Sequence, residues 1–349
     1  MIKKIGFIVL VATIISGCTS TPHKVSIQNK IDNKVDVISI VNQQELDALF
    51  PVQNSGAVSV QFGLIGALIG SAIDASANST SAEKATNNLS PIRNKLINYN
   101  FDDVLQSSIK NKLKQHPNLL LGKVNTFKDY NDAKKQMKSG NYYLKLSTEY
   151  KLDLDFRTPF IITYASLVKK GKTDKKDEVI YKNTFTYYAD SLPVPIKNPI
   201  VSRAEIAKLK AERGALPKAE RKKPKGMNAY KAYSKKINQL SKKEYTFDES
   251  VSALADVWAT SKYEQLKSDL TAGIQEITVL LAEDMADTQL AETYKTMGQV
   301  LPGYPKRHKT VIVKNGELRD VIRFSDGYRA GAICSMPSLE IEKSKLVCL

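Results

Sequence analysis

The strongest periodicity in the chain is an alternation of apolar and polar residues from Leu144 to Leu154. Leucines, a threonine and a tyrosine share one side of this segment, and lysines, a serine, a glutamate and an aspartate share the other. Period-two alternation predicts a strand with one buried face and one solvated face. Apolar runs at 160–168 and 178–188 follow, separated by a charged turn, and predict an antiparallel hairpin.

Helical spacing of apolar residues marks two clear helices. The first begins at Asp102 and carries an apolar face formed by Val104, Leu105, Ile109 and Leu113. A capping box formed by Ser261 and Glu264 predicts the start of the second. This long helix reaches about Met285, and its apolar face is expected to pack across the sheet; that face is formed by Leu266, Leu270, Ile274, Ile277 and Leu281.

Shorter patterns complete the fold prediction. Ser90 followed by Pro91 predicts another helix start, with proline in the first turn. Strands are predicted at 35–41, 57–62 and 119–124, a short helix at 129–138, and a meander of strands at 309–314, 317–324, 328–334 and 339–347. These elements predict an α+β fold: a mixed, largely antiparallel sheet packed by helices, with a small C-terminal β meander.

The chain opens with an apolar segment behind two lysines. The apolar stretch runs from Ile5 to Ile15, about 11 residues, and Ser16, Gly17 and Cys18 follow it. A charged start, a short apolar stretch and small residues before a cleavage point are typical of a secretory signal peptide. Such a stretch is too short to span a bilayer, which needs about 20 residues. We therefore expect residues 1–17 to be removed on export.

The four residues Ile15, Ser16, Gly17 and Cys18 resemble the lipobox of bacterial lipoproteins, in which the cysteine receives a diacylglyceryl group and becomes the new N-terminus. The resemblance implies anchoring by two or three acyl chains of the palmitate type, which hold a protein on a membrane where one chain does not. Thr19 stands where an Asp commonly favours inner-membrane retention, which implies the outer membrane with the body facing the periplasm. The alternative is an ordinary secretory peptide with a chance cysteine.

The mature chain divides into a tether, a body and a C-terminal unit. Residues 18–33 are polar and without periodicity, which predicts a lipidated tether. The α+β body is expected at 34–290, and a small C-terminal β unit at 305–349. With 42% apolar residues, the chain can build a sizeable core.

Most of the positive charge lies in one segment of the body. The chain has a formal net charge of +16, and the segment 203–243 holds fourteen Lys or Arg against three Glu. It is helix-prone, poor in large apolar residues and broken by Pro217 and Pro224, which predicts an insertion or a solvated excursion. The alternative is contact with a partner or an anionic surface, and the residues expected there are Arg221, Lys222, Lys223 and Lys225. Export removes the usual nucleic acids, so no nucleic-acid partner is expected.

Two cysteines, Cys334 and Cys348, remain once Cys18 is assigned to the lipid. Disulfides persist in the compartments to which proteins are exported, so a disulfide between the two is favoured. Closing a loop of about 15 residues would contribute roughly 3 kcal/mol in the chain-entropy account. A metal pair is the alternative, but no histidine lies near and zinc takes four ligands. We expect neither a metal nor a cofactor.

Small residues recur at four-residue spacing in an apolar block at 63–73, which contains Gly63, Gly66 and Gly70. This spacing places small side chains on one helix face, where two backbones can approach closely. The block is expected either to pack against the body or to contact a membrane or a second copy of the chain. It is too short to span a membrane unaided.

No catalytic constellation stands out. Ser81 with Lys84 and Ser107 with Lys110 match the spacing of a serine nucleophile and its lysine, but the companion K-T-G triplet is absent. The turn at 171–173 has the Gly-Lys-Thr sequence that ends a phosphate loop, but Ser166 stands where the first glycine of such a loop is required. The histidines are scattered at positions 23, 116 and 308 and form no metal set. The carboxylate pairs that could serve as acid and base in a cleft are Asp102 with Asp103 and Asp153 with Asp155.

Behind its lipobox, the order of strands and helices resembles the α/β body of periplasmic lipoproteins such as the curli secretion lipoprotein and the penicillin-binding-protein activators. The resemblance covers roughly 57–190 and 261–285 and implies an accessory or scaffolding role without chemistry of its own. We therefore expect a non-enzymatic lipoprotein whose body and basic segment engage an envelope protein complex or an anionic envelope component. The alternatives are a cell-wall hydrolase with an unrecognised carboxylate site and a self-associating ring or pore.

Overall fold

The computed structural model describes residues 24–28, 30–50, 75–117, 119–172, 176–242, 244–286, 296–297, 310–315, 318–324 and 330–338. Several sequence predictions lie outside these residues: the signal and anchor with Cys18, the strand at 57–62, the glycines Gly63, Gly66 and Gly70, and Cys348 with the last strand. These stay predictions.

The described residues form ten strands and eight helices. The strands are β1 Ile31–Ile40, β2 Asp47–Ala48, β3 Leu119–Phe127, β4 Tyr142–Leu152, β5 Pro159–Lys169, β6 Glu178–Tyr188, β7 Thr296–Met297, β8 Thr310–Asn315, β9 Arg319–Phe324 and β10 Ile333–Pro337. The helices are α1 Ala75–Lys95, α2 Phe101–Leu113, α3 Tyr130–Gln136, α4 Pro199–Ala215, α5 Lys218–Arg221, α6 Pro224–Leu240, α7 Phe247–Thr260 and α8 Tyr263–Ala286.

All of these strands belong to one mixed sheet. Its order is β3-β1-β4-β5-β6-β10-β9-β8-β7, and β2 pairs with the end of β4. The pairs β1–β3, β1–β4, β2–β4 and β6–β10 are parallel, and the other pairs are antiparallel. The predicted α+β class is confirmed, and the β5–β6 hairpin lies at the centre of the sheet. The C-terminal strands, predicted as a separate unit, continue this sheet because β10 pairs with β6.

The main core lies between one face of the sheet and the helices α1, α2, α7 and α8. In β4, Leu144, Leu146, Tyr150 and Leu152 are buried in it, and the residues on the other face from Lys145 to Lys151 are half-exposed, as the alternation predicts. The opposite face has two smaller clusters, one of them beneath α3. The helix layer therefore covers one side of the sheet far more fully than the other.

Helix α8 crosses β5 and β6 at very short range. A Cβ on Gly273 would lie 2.6 Å from Cδ1 of Tyr187 and 2.8 Å from Cδ1 of Ile161. Real Cβ atoms do not approach other atoms so closely, so only glycine fits at this point of the crossing. The apolar face predicted for this helix is buried.

The predicted helix start at Pro91 is wrong, because Pro91 lies inside α1. Proline removes the amide that would bond to the carbonyl of Asn87, and it disfavours a helix interior. Here Pro91 and Asn87 are both exposed, so water can bind that carbonyl. A buried stripe on the opposite face, formed by Ala85, Leu89, Ile92 and Leu96, continues the helix through the proline.

The predicted capping box at Ser261 and Glu264 is also wrong. The hydroxyl of Ser261 donates to the carbonyl of Val257 and so closes α7 instead of opening α8. The capping box formed in the structure joins Thr246 and Glu249 at the start of α7. Helix α7, which contains the chain's one tryptophan, was absent from the sequence prediction.

Contacts between the N-terminal segment and the body begin earlier than a tether at 18–33 would allow. The amide of Val25 donates to the carbonyl of Lys182 at 2.8 Å, and the amide of Lys182 donates back at 2.9 Å. Ile27 is buried, and β1 begins at Ile31. Only residues 19–23 therefore separate Cys18 from the first described residue of the body.

The sheet has two distinct ends. β1, β3, β4 and β6 run in the same direction and begin together at the end where the N-terminal segment pairs beside Lys182, here named the Lys24 end. After Tyr188 the chain leaves the opposite end and enters α4, α5 and α6, so this is named the arm end. Helix α8 runs from the arm end to the Lys24 end, since Gly273 contacts Tyr187 and Asp284 contacts Tyr181.

Four parts of the chain meet at the carboxylate of Asp284, near the end of α8. Its Oδ1 accepts hydrogen bonds from Nζ of Lys24, at 2.7 Å, and from Nη2 of Arg323 in β9. Its Oδ2 accepts from the hydroxyl of Tyr181 and from Nδ2 of Asn183 in β6, both at 2.8 Å. The N-terminal segment is thereby joined to the helix layer and to two strands of the sheet.

The charges of this cluster depend on one another. Burial would raise the pKa of Asp284, but the positive charges and hydrogen bonds of Arg323 and Lys24 lower it below its ordinary value. Burial, followed by the charge of Asp284, raises the pKa of Tyr181, so its hydroxyl remains a donor. Removing one member of a buried ion pair leaves the others without a counter-charge, which is strongly destabilising.

Asp284→Ala is expected to lower the free energy of unfolding by about 3–5 kcal/mol at neutral pH, because it strands two cations in a buried site. The matched control is Asp256→Ala on the exposed side of α7, which should change stability by less than about 0.5 kcal/mol. Because the pKa of Asp284 is lowered in the fold, its contribution is present above the ordinary Asp pKa of about 4 and is lost as the pH falls through the folded value. Urea unfolding of both variants at several pH values measures this; equal losses in the two would contradict it.

Candidate functional site

The basic segment folds as a helical hairpin at the arm end, and residues 199–240 are named the arm. Helices α4 and α6 pack against each other in antiparallel fashion, and the short helix α5 joins them. An ion pair of 3.1 Å between Lys236 and Glu205 crosses between the two long helices. The breaks at Pro217 and Pro224 are where the sequence predicts them, since Pro217 precedes α5 and Pro224 opens α6.

A buried lysine fixes the base of the arm. Ile196 and Glu244 form an antiparallel bridge that brings the two ends of the arm together. Beside it, Lys197 is only 6% exposed, and its Nζ donates to the carbonyl of Gln239 at 2.9 Å. The same Nζ lies 3.1 Å from the carboxylate of Glu249 and 5.4 Å from the centre of the Tyr245 ring.

The counter-charge of Lys197 also caps α7. Burial would raise the pKa of Glu249, but hydrogen bonds from Thr246 and Lys197 lower it. The Glu249 carboxylate accepts the backbone amide of Thr246 at 2.8 Å, and this closes the capping box. The base of the arm is therefore coupled to the first turn of a helix in the core.

The tip of the arm is equally well defined. Arg221 donates from Nε to the carbonyl of Leu216 and from Nη2 to the carbonyl of Gly214, both at 2.8 Å. The guanidinium groups of Arg221 and Arg213 each lie 5.3 Å from the centre of the Tyr230 ring. The arm is thus a folded hairpin whose tip is held by hydrogen bonds and cation–ring contacts, and not an unstructured excursion.

The four residues predicted for anionic contact differ in how they are used. Arg221 is half-buried and holds the tip, and Lys223 pairs with Glu220 at 2.7 Å. Lys222 and Lys225 are exposed and form no ion pair within the described part of the chain. The same holds for other arm cations on the outer faces: Arg203, Lys208, Lys210, Lys218, Lys231 and Lys235.

Exposed apolar residues are concentrated around the arm. Eleven large hydrophobic residues are exposed in the described structure, and five of them lie between positions 194 and 247: Val194, Ile196, Val201, Met227 and Phe247. Ile196 is 85% exposed. Val194 and Ile196 lie in the segment that enters the arm, next to the bridge at its base. The base of the arm therefore presents apolar side chains beside its cations.

The predicted carboxylate pairs serve structural purposes. Asp102 pairs with Lys128 at 2.7 Å, and Asp103 accepts from Asn100, the N-cap residue of α2. Asp153 lies in the β4–β5 turn, where its Oδ1 accepts the amides of Arg157 and Thr158 at 2.8 and 3.1 Å.

Burial and the neighbouring Asp155 raise the pKa of Asp153 to about 8, and the two carboxyl groups are hydrogen bonded to each other. Glycosidase pairs are about 5 Å or more apart, so this contact does not provide that arrangement.

The predicted serine–lysine pairs are not assembled as dyads. Ser81 and Lys84 both line a hollow of about 280 Å³ between α1 and α7, but Nζ of Lys84 pairs with Asp248 at 2.7 Å. Ser107 and Lys110 line different hollows on the two sides of α2. In the predicted phosphate loop, the amide of Gly171 donates to Asp177, and position 173 lies outside the described residues.

Of the remaining predicted site residues, some make structural contacts and the others lie outside the described residues. His116 contacts the carbonyl of Ala282 at 3.0 Å, and burial lowers its pKa despite that hydrogen bond; the other two histidines lie outside the described residues. Cys334 is buried and forms a disulfide, and its pairing with Cys348 stays a prediction. The described residues contain no group of three or more His, Cys, Asp or Glu that could hold a metal. None of their helices combines the length and the apolar character needed to cross a bilayer.

Two features of the site were missed from sequence. Lys197 looks like any other lysine of a basic segment, and only the fold places it in a buried position. Helix α7 did carry a signal, because Thr246 and Glu249 have the spacing of a capping box. Trp258 in α7 is fully buried, and its Nε1 donates to the carbonyl of Phe156 at 2.7 Å.

Asp153→Asn is expected to stabilise the protein at alkaline pH. With a folded pKa of about 8, Asp153 is protonated in the fold at pH values where the unfolded chain ionises it. Stability therefore falls as the pH rises from about 4 to 8, and the neutral asparagine removes that loss. We expect a gain in the free energy of unfolding of at least about 1 kcal/mol at pH 8 and little change at pH 4. Urea titrations at both pH values test this, with Asp256→Asn as the surface control; an equal effect at both pH values would contradict it.

Comparisons with known proteins assign no family to this chain. No protein-family model matches it, and it matches no curated protein and no solved structure. The candidate site is therefore defined by the chain's own contacts, burial and charge.

Proposed function

We propose that this chain is a non-enzymatic lipoprotein of the bacterial outer membrane, anchored through Cys18 with its body in the periplasm. Its arm binds an acidic protein within an envelope complex. The role is accessory: it holds or positions a partner and performs no chemistry. Export and anchoring rest on the signal segment and on the lipobox resemblance of residues 15–18.

One observation carries the binding role: the arm is held to the body at its base, but most of its exposed cations form no ion pair within the described chain. Lys197 and Arg221 use their charges to fix the base and the tip. Lys222, Lys225 and Lys231 project from the outer faces without an ion pair among the described residues. A rigid cationic surface loses little conformational freedom on binding and attracts negative charge over long range.

The apolar residues around the arm favour a protein over a purely charged polymer. Ile196 and Val201 are strongly exposed next to the cations. Interfaces between proteins combine a desolvated apolar centre with a polar rim, whereas binding to a polyanion depends chiefly on charge. The complementary surface would present apolar side chains surrounded by carboxylates.

Anchoring is tested by Cys18→Ala. The variant is expected to lose metabolic labelling by a palmitate analogue and to leave the outer-membrane fraction, since it lacks the acylated thiol. Ser16→Ala keeps the cysteine and a small residue at the cleavage site, and it serves as the control. Labelling that persists in Cys18→Ala would contradict the anchor.

Binding by the arm is tested with a photo-crosslinking amino acid in place of Met227, which is exposed on α6. We expect a discrete adduct in cells, and we expect charge reversal of Lys222, Lys225, Lys231 and Lys235 to glutamate to reduce it about tenfold or more, because salt-sensitive attraction is replaced by repulsion. Leu318, which precedes β9 and is 82% exposed, is the control position for the crosslinker.

The captured protein should be acidic at the contact, as mapped by mass spectrometry of the crosslinked peptides. An adduct that is unchanged by the charge reversal, or equally strong from position 318, would contradict a role for the arm.

A further inference from the structure

The Lys24 end of the body carries a second basic surface, separate from the arm. Helix α2 ends there with Lys112 and Lys114, and the β5–β6 connection carries Lys172 and Lys176. All four are exposed and form no ion pair within the described residues. Lys138, before β4, and Lys182, in β6, are exposed at the same end.

Few exposed carboxylates balance these lysines. In the described part of this end, the exposed acidic residues include Asp32, Glu178 and Glu283, and the half-buried Asp36 accepts the backbone amide of Lys123. Asp32 lies 3.8 Å from Lys30 and is thus partly offset already. Asp177 is half-buried between Lys170 and Lys145, which lie 2.8 and 3.7 Å from its carboxylate. The surface at this end is therefore positive.

A hollow beside this end adds a concave cationic site. It has a volume of about 500 Å³ and lies between α2 and the edge strand β3, lined by Lys110, Lys114 and Lys123 with Asn111 and Asn125. Lysine ammonium groups and asparagine amides are donors that suit phosphate oxygens. A hollow of this volume can hold a lipid headgroup but not a folded protein.

The position of the predicted anchor relates this surface to a membrane. Lys24 is held by Asp284, and Val25 is paired to Lys182, so the chain is fixed to the body from residue 24 onward. Six residue steps connect Cys18 to Lys24, and an extended chain of that length spans at most about 20 Å. A lipidated Cys18 would therefore keep the Lys24 end close to the bilayer.

The arm is at the opposite end. Lys182 and Tyr188 are six residues apart in β6, which is roughly 20 Å along a strand, and the arm begins eleven residues further on at Pro199. Helix α8 spans the same direction over 24 residues, or about 36 Å. The two basic surfaces therefore face in different directions.

We propose that the Lys24 end is a membrane-facing surface that binds the anionic phospholipid headgroups of the leaflet to which the protein is anchored. This assignment rests on the proposed lipid anchor at Cys18, and it gives the two basic regions separate partners: lipid at the Lys24 end and protein at the arm. Each lysine near an anionic membrane surface contributes measurable attraction, so four of them form a substantial electrostatic contact.

The test uses an acyl-free form of the chain that lacks the signal segment and Cys18, residues 19–349, so that binding reports the protein surface alone. Its partition is measured by sedimentation with vesicles of phosphatidylcholine and with vesicles that also contain phosphatidylglycerol. One variant reverses Lys112, Lys114, Lys172 and Lys176 to glutamate. The matched control reverses Lys222, Lys225, Lys231 and Lys235 in the arm, with the same change in net charge.

We expect the unaltered chain to prefer the phosphatidylglycerol vesicles and to lose that preference at high salt. The Lys24-end variant should bind at least about tenfold more weakly, whereas the arm variant should change little. Replacing the same four lysines by glutamine should give an intermediate loss, and thermal unfolding checks that each variant is folded. An equal or larger loss in the arm variant, or no preference for phosphatidylglycerol, would overturn the assignment.

Failure of the lipid anchor would be recognised separately. It would appear as Cys18 without acyl label in cells, whatever the vesicle result. If Cys18 is acylated and the vesicles show no preference, the anchor stands and the membrane-facing surface is wrong.

Discussion

The carboxylate of Asp284 joins four parts of the chain, namely the N-terminal segment, α8, β6 and β9. Hydrogen bonds between the strands and packing under α8 would form the central sheet without it, and the backbone pair of Val25 with Lys182 places the N-terminal segment beside β6. A buried carboxylate that accepts from Lys24, Arg323, Tyr181 and Asn183 permits one arrangement, because any other leaves charges buried and uncompensated. This contact, together with the Val25–Lys182 pair, fixes where the N-terminal segment lies on the body.

Only the fold shows how the positive charges are distributed over the surface. From the sequence, the arm accounts for most of the net charge, and the rest of the body looks unremarkable. In the fold, lysines from α2, the β5–β6 connection and the start of β4 converge at the Lys24 end, whereas the arm's cations lie beyond the far end of β6. The arm carries exposed apolar residues beside its cations, and the Lys24 end includes a hollow lined by lysines and asparagines. These differences support the proposal of separate partners.

The elements that could be predicted from sequence are those whose pattern is local. The alternation in β4, the hairpin of β5 and β6, and the breaks at Pro217 and Pro224 depend on neighbouring residues alone. Helix α1 could not be bounded in this way, because packing of Leu89 and Ile92 overrides the usual effect of Pro91. The burial of Asp284 and Lys197 could not be predicted from sequence either. A charged residue in a polar stretch is ordinarily solvated, and only long-range contacts bury it. Helix α7 is different, because the spacing of Thr246 and Glu249 is itself a local signal for its start.

The Asp284 cluster also sets an order of events during folding. Lys24 is among the first residues of the described body to be synthesised, and its partner lies 260 positions later, with Arg323 a further 39 positions on. A contact of such large sequence separation has to wait for nearly the whole chain. The backbone pair of Val25 with Lys182 can form once β6 is present, but the site around Asp284 is complete only when β9 supplies Arg323. The docking of the N-terminal segment therefore proceeds in two stages, a backbone pairing first and a buried charge cluster last.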